Sequence, residues 1–295
     1  MTKKRIGNVA ASVRQRLLNL RGETGEDFNA LLTQYAIERF LYRLSRSSHR
    51  DRFVLKGAML FRVWSGTLHR PTRDVDLLGY GEPTPAAVSA TIREIITTAV
   101  DDDGIVFVAS SVVADEIRES QEYGGVRVTF QAVLDGAVIP MQVDVGFGDA
   151  VTPLPKESIY PVLLGMDEPR LRMYPVETVV AEKLEAAVKL GMVNSRMKDF
   201  YDLLVIFRHH HYDGEVLVRA VVETFTRRGT MLPLALPVCL SDVFGTDPEA
   251  AKLWTAFLRR MDLQNEPAEF AAVIQEVRDR LWPILLAAGR EGASA

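Results

Sequence analysis

The segment Thr72-Arg73-Asp74-Val75-Asp76-Leu77 constrains this chain more than any other. A strand points successive side chains to opposite faces, so Val75 and Leu77 share one face and Asp74 and Asp76 the other. Such a segment asks for a sheet that is packed on one side and chemically open on the other. Two carboxylates held side by side repel each other unless one is protonated or a cation bridges them. Their hard oxygens suit Mg²⁺ or Mn²⁺. Seventeen residues before Asp74, Gly57 follows the short apolar run Arg52 to Leu55 and Lys56, and it opens a helical stretch from Ala58 to Trp64. A glycine at a strand-to-helix turn permits close backbone approach, and the first N–H groups of a helix are ready donors for phosphate. A lone glycine in such a place is usually just a turn.

A third acid follows from the next β-like runs. Ile105 to Val113 and Val126 to Leu134 read as strands, and Asp135-Gly136 between alternating runs marks a tight hairpin. On the return strand, Ala137 to Phe147, Val143 and Val145 face one side while Gln142, Asp144 and Gly146 face the other. Asp144 is a single acid amid apolar β-formers, and burying it unpaired would be costly; a neighbouring metal site accounts for it. Asp149 is the rival candidate, although Gly146 and Gly148 place it beyond the strand.

Further on, Pro175 to Gly191 reads as a helix with a glycine stop. Lys183 projects from its apolar stripe of Val179, Val180, Leu184, Ala187 and Val188, either snorkelling or serving a site. Glu185 and Lys189 look ordinary beside it. Asp199 and Asp202 then fall at i and i+3 on one helical face. Asp202 opens a run of five apolar residues, so it is expected to be partly buried and to need a cationic partner, with Lys183, Arg196 and Lys198 as the choices. Asp199 reads equally well as a helix cap. The consecutive His209, His210 and His211 point in different directions, which favours a role at a helix C-terminus over metal binding.

Bulk composition sets the frame. The chain has 295 residues, 47% hydrophobic and 25% charged, enough for two domains or one elaborated one with a sizeable core. Cys239 is the single cysteine, so no internal disulfide forms. No apolar run approaches the ~20 residues of a membrane span, and the polar N-terminus lacks a signal-peptide core, so a cytoplasmic location is expected. Residues 1 to 50 carry ten basic residues (Lys3, Lys4, Arg5, Arg14, Arg16, Arg21, Arg39, Arg43, Arg46 and Arg50) against four acids, Glu23, Glu26, Asp27 and Glu38. A basic arm of this kind steers polyanions such as RNA, or is a solvated helix face that docks on an acidic body. Helices are expected over Ala10 to Leu20, Asp27 to about Leu44 and Ala86 to Val100. The organisation expected is a basic helical part at 1–48, a core at 49–150, a helical lobe at 151–208 holding Lys183 and Asp202, and a helical C-terminal domain at 209–295. That last domain shows no catalytic constellation.

In the order and spacing of Lys56-Gly57-Ala58, Thr72-Arg73-Asp74-Val75-Asp76, Asp144, Glu182-Lys183-Leu184-Glu185-Ala186 and Lys198-Asp199-Phe200-Tyr201-Asp202-Leu203, the chain resembles the DNA polymerase β-like nucleotidyltransferase superfamily. Within it the likeness is to the AbiEii/AbiGii toxin family, which includes the MenT toxins, and it covers roughly residues 30 to 210. The resemblance implies an α+β fold: a polymerase β-like nucleotidyltransferase core of mixed or antiparallel sheet with flanking helices, plus helical N- and C-terminal parts. It implies that Asp74, Asp76 and Asp144 hold Mg²⁺ or Mn²⁺, and that Lys183 neutralises a triphosphate with help from Lys56 or Arg73. Asp202 would orient Lys183 or the nucleotide, and Gly57, Ala58, Thr72 and Asp199 would lie on the nucleotide side. Two positions depart from the family pattern. Gly57-Ala58 stands where Gly-Ser or Gly-Gly is usual, leaving backbone N–H to meet phosphate, and Thr72 replaces a common serine while keeping the hydroxyl.

The function implied is that of a toxin in a two-gene toxin–antitoxin or abortive-infection system, neutralised by a separate antitoxin protein. It would transfer a nucleotide from an NTP to RNA, the 3′ end of tRNA in related toxins, and so stop translation. Two alternatives stay open: transfer to a small molecule or protein, as aminoglycoside nucleotidyltransferases act on small molecules, and a non-catalytic NTP-binding or partner-binding module.

Overall fold

The hairpin at Asp135-Gly136 is the spine of the sheet. In the computed structural model, which describes residues 8–66, 69–117, 124–263 and 269–292, both turn residues take positive φ, 46° and 81°. That is the turn geometry whose twist matches the flanking strands. It joins β4 (Gly125–Leu134) to β5 (Ala137–Phe147). Around this pair stand β1 (Phe53–Lys56), β2 (Asp74–Gly79), β3 (Ile105–Ile117), β6 (Lys156–Ile159) and β7 (Arg170–Met173), in the order β3-β4-β5-β2-β1-β7-β6. β2 runs parallel to β5 and antiparallel to β1, and β1 runs parallel to β7. The class is therefore the expected one, a mixed sheet with flanking helices. Pro140 sits within β5, yet β2 pairs β5 only from Gln142 onward, so the missing N–H falls where no β2 carbonyl awaits it.

The chain divides into two units, one of residues 1–148 with 157–173 and one of 149–156 with 174–295. The first holds the sheet with α1 (Val9–Thr24), α2 (Phe28–Arg46), α3 (Leu60–Ser65) and α4 (Pro85–Ile96). α2 starts where the Asp27 carboxylate accepts from the Ala30 N–H at 3.0 Å, a side-chain N-cap. α2 packs on β5, and α4 on β3 and β4. The alternate strand positions Val75, Leu77, Val126, Val128, Val143 and Val145 are buried. Each such side chain contributes roughly 1.5–3 kcal/mol when withdrawn from water.

Two expectations are corrected here. Residues 157–173, placed at the start of a helical lobe, instead return to the sheet as β6 and β7, where Met173 pairs with Leu55 of β1. An otherwise open edge of β1 is covered by this addition. The basic stretch is also less solvated than its composition implies. Arg39 and Arg43 of α2 are buried; Arg43 donates to both oxygens of buried Asp103 at 2.7 and 3.0 Å, and Arg39 donates to the Asp167 carbonyl at 3.0 Å. Lys3, Lys4 and Arg5 lie outside the described residues.

The second unit is helical: α5 (Val176–Leu190), α6 (Met197–His209), α7 (Gly214–Arg227), α8 (Asp242–Gly245), α9 (Pro248–Met261) and α10 (Phe270–Gly292). Its core includes an aromatic cluster in which Phe200 meets Phe244 and Phe270 with ring centroids 5.6 and 5.5 Å apart. Trp254 stacks against Phe270 at 5.4 Å. Offset and edge arrangements of this kind add to the burial of the rings themselves.

Candidate active site

Strand register places the acids of β2 and β5 together. Asp76 is the partner of Asp144 across the parallel β2–β5 pair, and Asp74 is the partner of Gln142. On the other side of β2, Asp76 faces Lys56 of β1. On the other side of β5, Asp144 faces Arg127 of β4, which in turn faces Asp115 of β3. One row of charged side chains therefore crosses five neighbouring strands in the order Asp115, Arg127, Asp144, Asp76, Lys56. Adjacent members of such a row sit about 4.8 Å apart along the hydrogen-bonding direction. Val75, Leu77, Val143 and Val145 are buried, while Asp74, Asp76, Gln142 and Asp144 are only partly covered, as the alternation required.

The turn after β1 explains Gly57. Its φ is +76°, and a Cβ added there would lie 2.0 Å from Asp76 Oδ2 and 2.7 Å from its Cγ. The close approach foreseen at this glycine is therefore made to the Asp76 carboxylate, and no larger residue fits. Gly57 opens a 3-10 turn, Gly57–Met59, and α3 begins only at Leu60. The Ala58 methyl is buried. The Thr72 hydroxyl reaches the Asp74 carbonyl at 3.5 Å, a long contact, and Arg73 is exposed while Lys56 is partly covered.

Asp144 is held by Arg127, which the sequence reading passed over, and by Gln142, which it placed on the same strand face. Arg127 donates from Nε to Oδ1 at 2.9 Å and from Nη2 to Oδ2 at 2.7 Å, a bidentate fork. Gln142 Nε2 lies 3.3 Å from each oxygen. The hydrogen bond to Asp144 raises the Arg127 pKa against partial desolvation, and the charges of Asp144, Asp74 and Asp76 add to it. Among the described residues, no group of three His, Cys, Asp or Glu side chains is gathered closely enough to hold a metal ion. The backbone thus brings the three acids together, while the Asp144 carboxylate is engaged by Arg127. A signal for Arg127 was present: counting back equally from the two-residue turn puts it opposite Asp144.

In the second unit, Lys183 of α5 donates to Asp199 Oδ1 at 2.5 Å and to Asp202 Oδ2 at 2.8 Å, both on α6. Asp202 is buried and paired with a cation, as expected of it. Arg196 Nε stands 3.6 Å from Asp199 Oδ2, so Asp199 takes part in this ion cluster as well as lying in the first turn of α6. Glu185, which looked ordinary, is fully buried. Its oxygens accept from Arg228 Nη1 at 2.9 Å and Thr230 Oγ1 at 2.5 Å. Arg228 also reaches Asp149 at 2.9 Å and Glu182 at 3.3 Å. Burial works against the Arg228 charge, but Glu182, Asp149 and Glu185 outweigh it and hold the guanidinium protonated. Asp149 therefore belongs to this buried ion cluster of the second unit. Glu185 escaped notice because its partners, Arg228 and Thr230, lie more than forty positions along the chain.

The site is thus a mixed sheet that carries paired acids on neighbouring strands beside a glycine turn. The family model described as "Nucleotidyl transferase AbiEii toxin, Type IV TA system" matches residues 39–276. The chain belongs to the AbiEii nucleotidyltransferase toxin family. Among solved structures, JHP933 from Helicobacter pylori is similar at 16% identity with a TM-score of 0.48, over 90% of this chain and 95% of that one. A second H. pylori chain, described provisionally as a nucleotidyltransferase, is similar at 15% identity with a TM-score of 0.49, over 90% of this chain and 98% of that one. No curated protein sequence matches. Among the described residues, no helix is long and apolar enough to cross a membrane.

Proposed function

We propose that this nucleotidyltransferase transfers a nucleotide from an NTP to an RNA acceptor, the 3′ end of tRNA, and thereby blocks translation, with an antitoxin as its partner. The observation that carries the reading is the pairing of Asp76 with Asp144 on one open sheet face, beside a glycine whose lack of Cβ makes room for the Asp76 carboxylate. In the transfer, the acceptor hydroxyl oxygen bonds to the α-phosphorus as the bond from that phosphorus to the bridging oxygen breaks and pyrophosphate leaves. The hydroxyl proton passes to a carboxylate, for which Asp144 is our candidate. Asp74, Asp76 and Asp144 carry hard oxygens of the kind that Mg²⁺ or Mn²⁺ takes, and they would hold the ion together with the phosphates of the substrate. When bound, the ion supplies charge compensation for the attacking and leaving oxygens.

The remaining roles fall to positioning and charge. Lys183 neutralises the triphosphate in this reading, with Asp199 and Asp202 fixing its ammonium group. Lys56 and Arg73 assist, and Gly57, Ala58 and Thr72 line the nucleotide side. The test is incubation with each labelled NTP, Mg²⁺ and total tRNA. Label should enter RNA, and both Asp74→Ala and Lys183→Ala should abolish incorporation with unchanged circular dichroism. Label appearing only in a small molecule or protein, or Mg²⁺-dependent NTP binding without any transfer, would replace this reading with another. An unfolded Lys183→Ala protein would assign that lysine to the fold instead.

A further inference from the structure

We infer that the arginines around Tyr80, at the opposite end of β1 and β2 from the acids, form a docking surface for the RNA acceptor. Arg52 and Arg172 take its phosphates, and the Tyr80 ring stacks on one of its bases. The inference rests on the RNA-acceptor reading proposed above and deepens it, by naming where the body of the RNA is held while its 3′ end is in reaction.

Strand pairing builds the cluster. Phe53 of β1 is the partner of Gly79 of β2, so Arg52 and Tyr80, one position outside each strand, stand opposite each other. The Tyr80 N–H donates to the Arg52 carbonyl at 2.9 Å. β7 runs beside β1 and brings in Arg172, whose guanidinium carbon lies 5.6 Å from the centroid of the Tyr80 ring. Arg50, two positions before Arg52, and Arg170, two before Arg172, both reach the carboxylate of Glu157.

Three features point to a polyanion that carries bases. First, positive charge is left over. Arg50 and Arg170 share one acid, and among the described residues no carboxylate is in ion-pair contact with Arg52 or Arg172. Arg52 has only the Tyr80 carbonyl and His49 Nδ1, each at 3.4 Å, and Arg172 donates to the Asp51 carbonyl. Guanidinium forks engaged this lightly suit phosphate oxygens. Second, the Tyr80 ring is 46% exposed with a cation beside it, the combination on which single-stranded bases stack. Third, Arg52 and Tyr80 stand four positions along their strands from Lys56 and Asp76, about 13 Å, a span that a few nucleotides cover. Val54 and Leu78 between them are buried, so the surface is separate from the acids. Its loss should weaken the hold on RNA and leave the NTP untouched.

The test is fluorescence anisotropy of end-labelled total tRNA with the full chain across a salt series, paired with steady-state incorporation. Arg52→Gln and Arg172→Gln together should weaken binding about tenfold near 0.1 M salt and lower the slope of log K against log salt by about 1.4, the value for two phosphate contacts to a single strand. Tyr80→Ala should weaken binding by about fivefold or more with the slope unchanged, because stacking releases no counterion. Tyr80→Phe, which keeps the ring, should bind like the parent. In each weakened variant the KM for tRNA should rise while the KM for NTP holds. Arg219→Gln, at an exposed arginine of α7, measures the effect of removing any surface charge, and a slope change per charge as large as that of the Arg52 and Arg172 pair would overturn the docking surface. So would a KM for NTP that rises in step with that for tRNA. A parent chain that binds no tRNA and labels only a small molecule or protein would end the RNA-acceptor reading and this inference with it. A parent chain that labels tRNA, with variants that bind it as tightly, would end the docking surface alone.

Discussion

A methyl group at position 57 would land on the carboxylate of Asp76. The absent Cβ matters twice there, because the residue also sits at φ +76°, a backbone region that side chains make expensive. Gly57→Ala should therefore destabilise the protein by about 1–3 kcal/mol through strain and also push Asp76 out of line with Asp144. Urea unfolding and NTP incorporation measured on the same preparation give the two readouts. Full activity at parental stability would show that the turn relaxes without disturbing the acid. Arg127 and Gln142 illustrate the same scale from the opposite direction: neither is an acid, and neither belongs to a recognisable motif, yet both touch the Asp144 carboxylate.

At the scale of elements, the strands arrange chemistry by alternation and register, whereas the helices of the second unit arrange it by burying ions. α5 contributes Lys183 to one cluster and Glu182 and Glu185 to another, all from within a single turn of the helix. Arg228, just past the end of α7, faces Asp149, Glu182 and Glu185 together. Removing it leaves Glu185, which is fully buried, without its guanidinium partner, and a buried charge stripped of its partner costs about 3–5 kcal/mol. Arg228→Leu should lower the stability seen in urea unfolding by that order. A loss below ~1 kcal/mol, the value of an exposed pair, would mean that the acids take up protons or reach water.

For the molecule as a whole, charge in this chain is internal as much as it is external. Arg39 and Arg43 are spent inside the first unit on the Asp167 carbonyl and on Asp103. Glu38, on the same helix, is also buried, accepting from Gln34 at 3.0 Å and from the Leu163 N–H at 3.0 Å. Burial raises the Glu38 pKa despite those two hydrogen bonds. The folded protein therefore binds this proton more tightly than the unfolded chain does. Its stabilisation is complete below the ordinary glutamate value and fades as pH rises through the raised one. Glu38→Gln, neutral throughout, escapes that loss. Its melting temperature relative to the parent should climb as pH goes from about 4 to 8; a constant difference across that range would show that Glu38 keeps its ordinary pKa.

Local signals were enough for the parts of this protein that depend on near neighbours along the chain. Period-two alternation placed Asp74 and Asp76 on one open face, the Asp-Gly turn set the β4–β5 register, and the apolar run after Asp202 put that acid in need of a cation that proved to be Lys183. What only the tertiary structure decided are the pairings between distant residues. Asp103 reaches back sixty positions to bury Arg43, Arg228 gathers Glu185 from forty-three positions away, and the four-residue strand β7 finds β1 across more than a hundred. Short strands carry too little alternation to be read, and an ionisable side chain looks the same in sequence whether water or a counter-ion surrounds it. Burial, which determines its chemistry, is a property of what the rest of the chain brings to it.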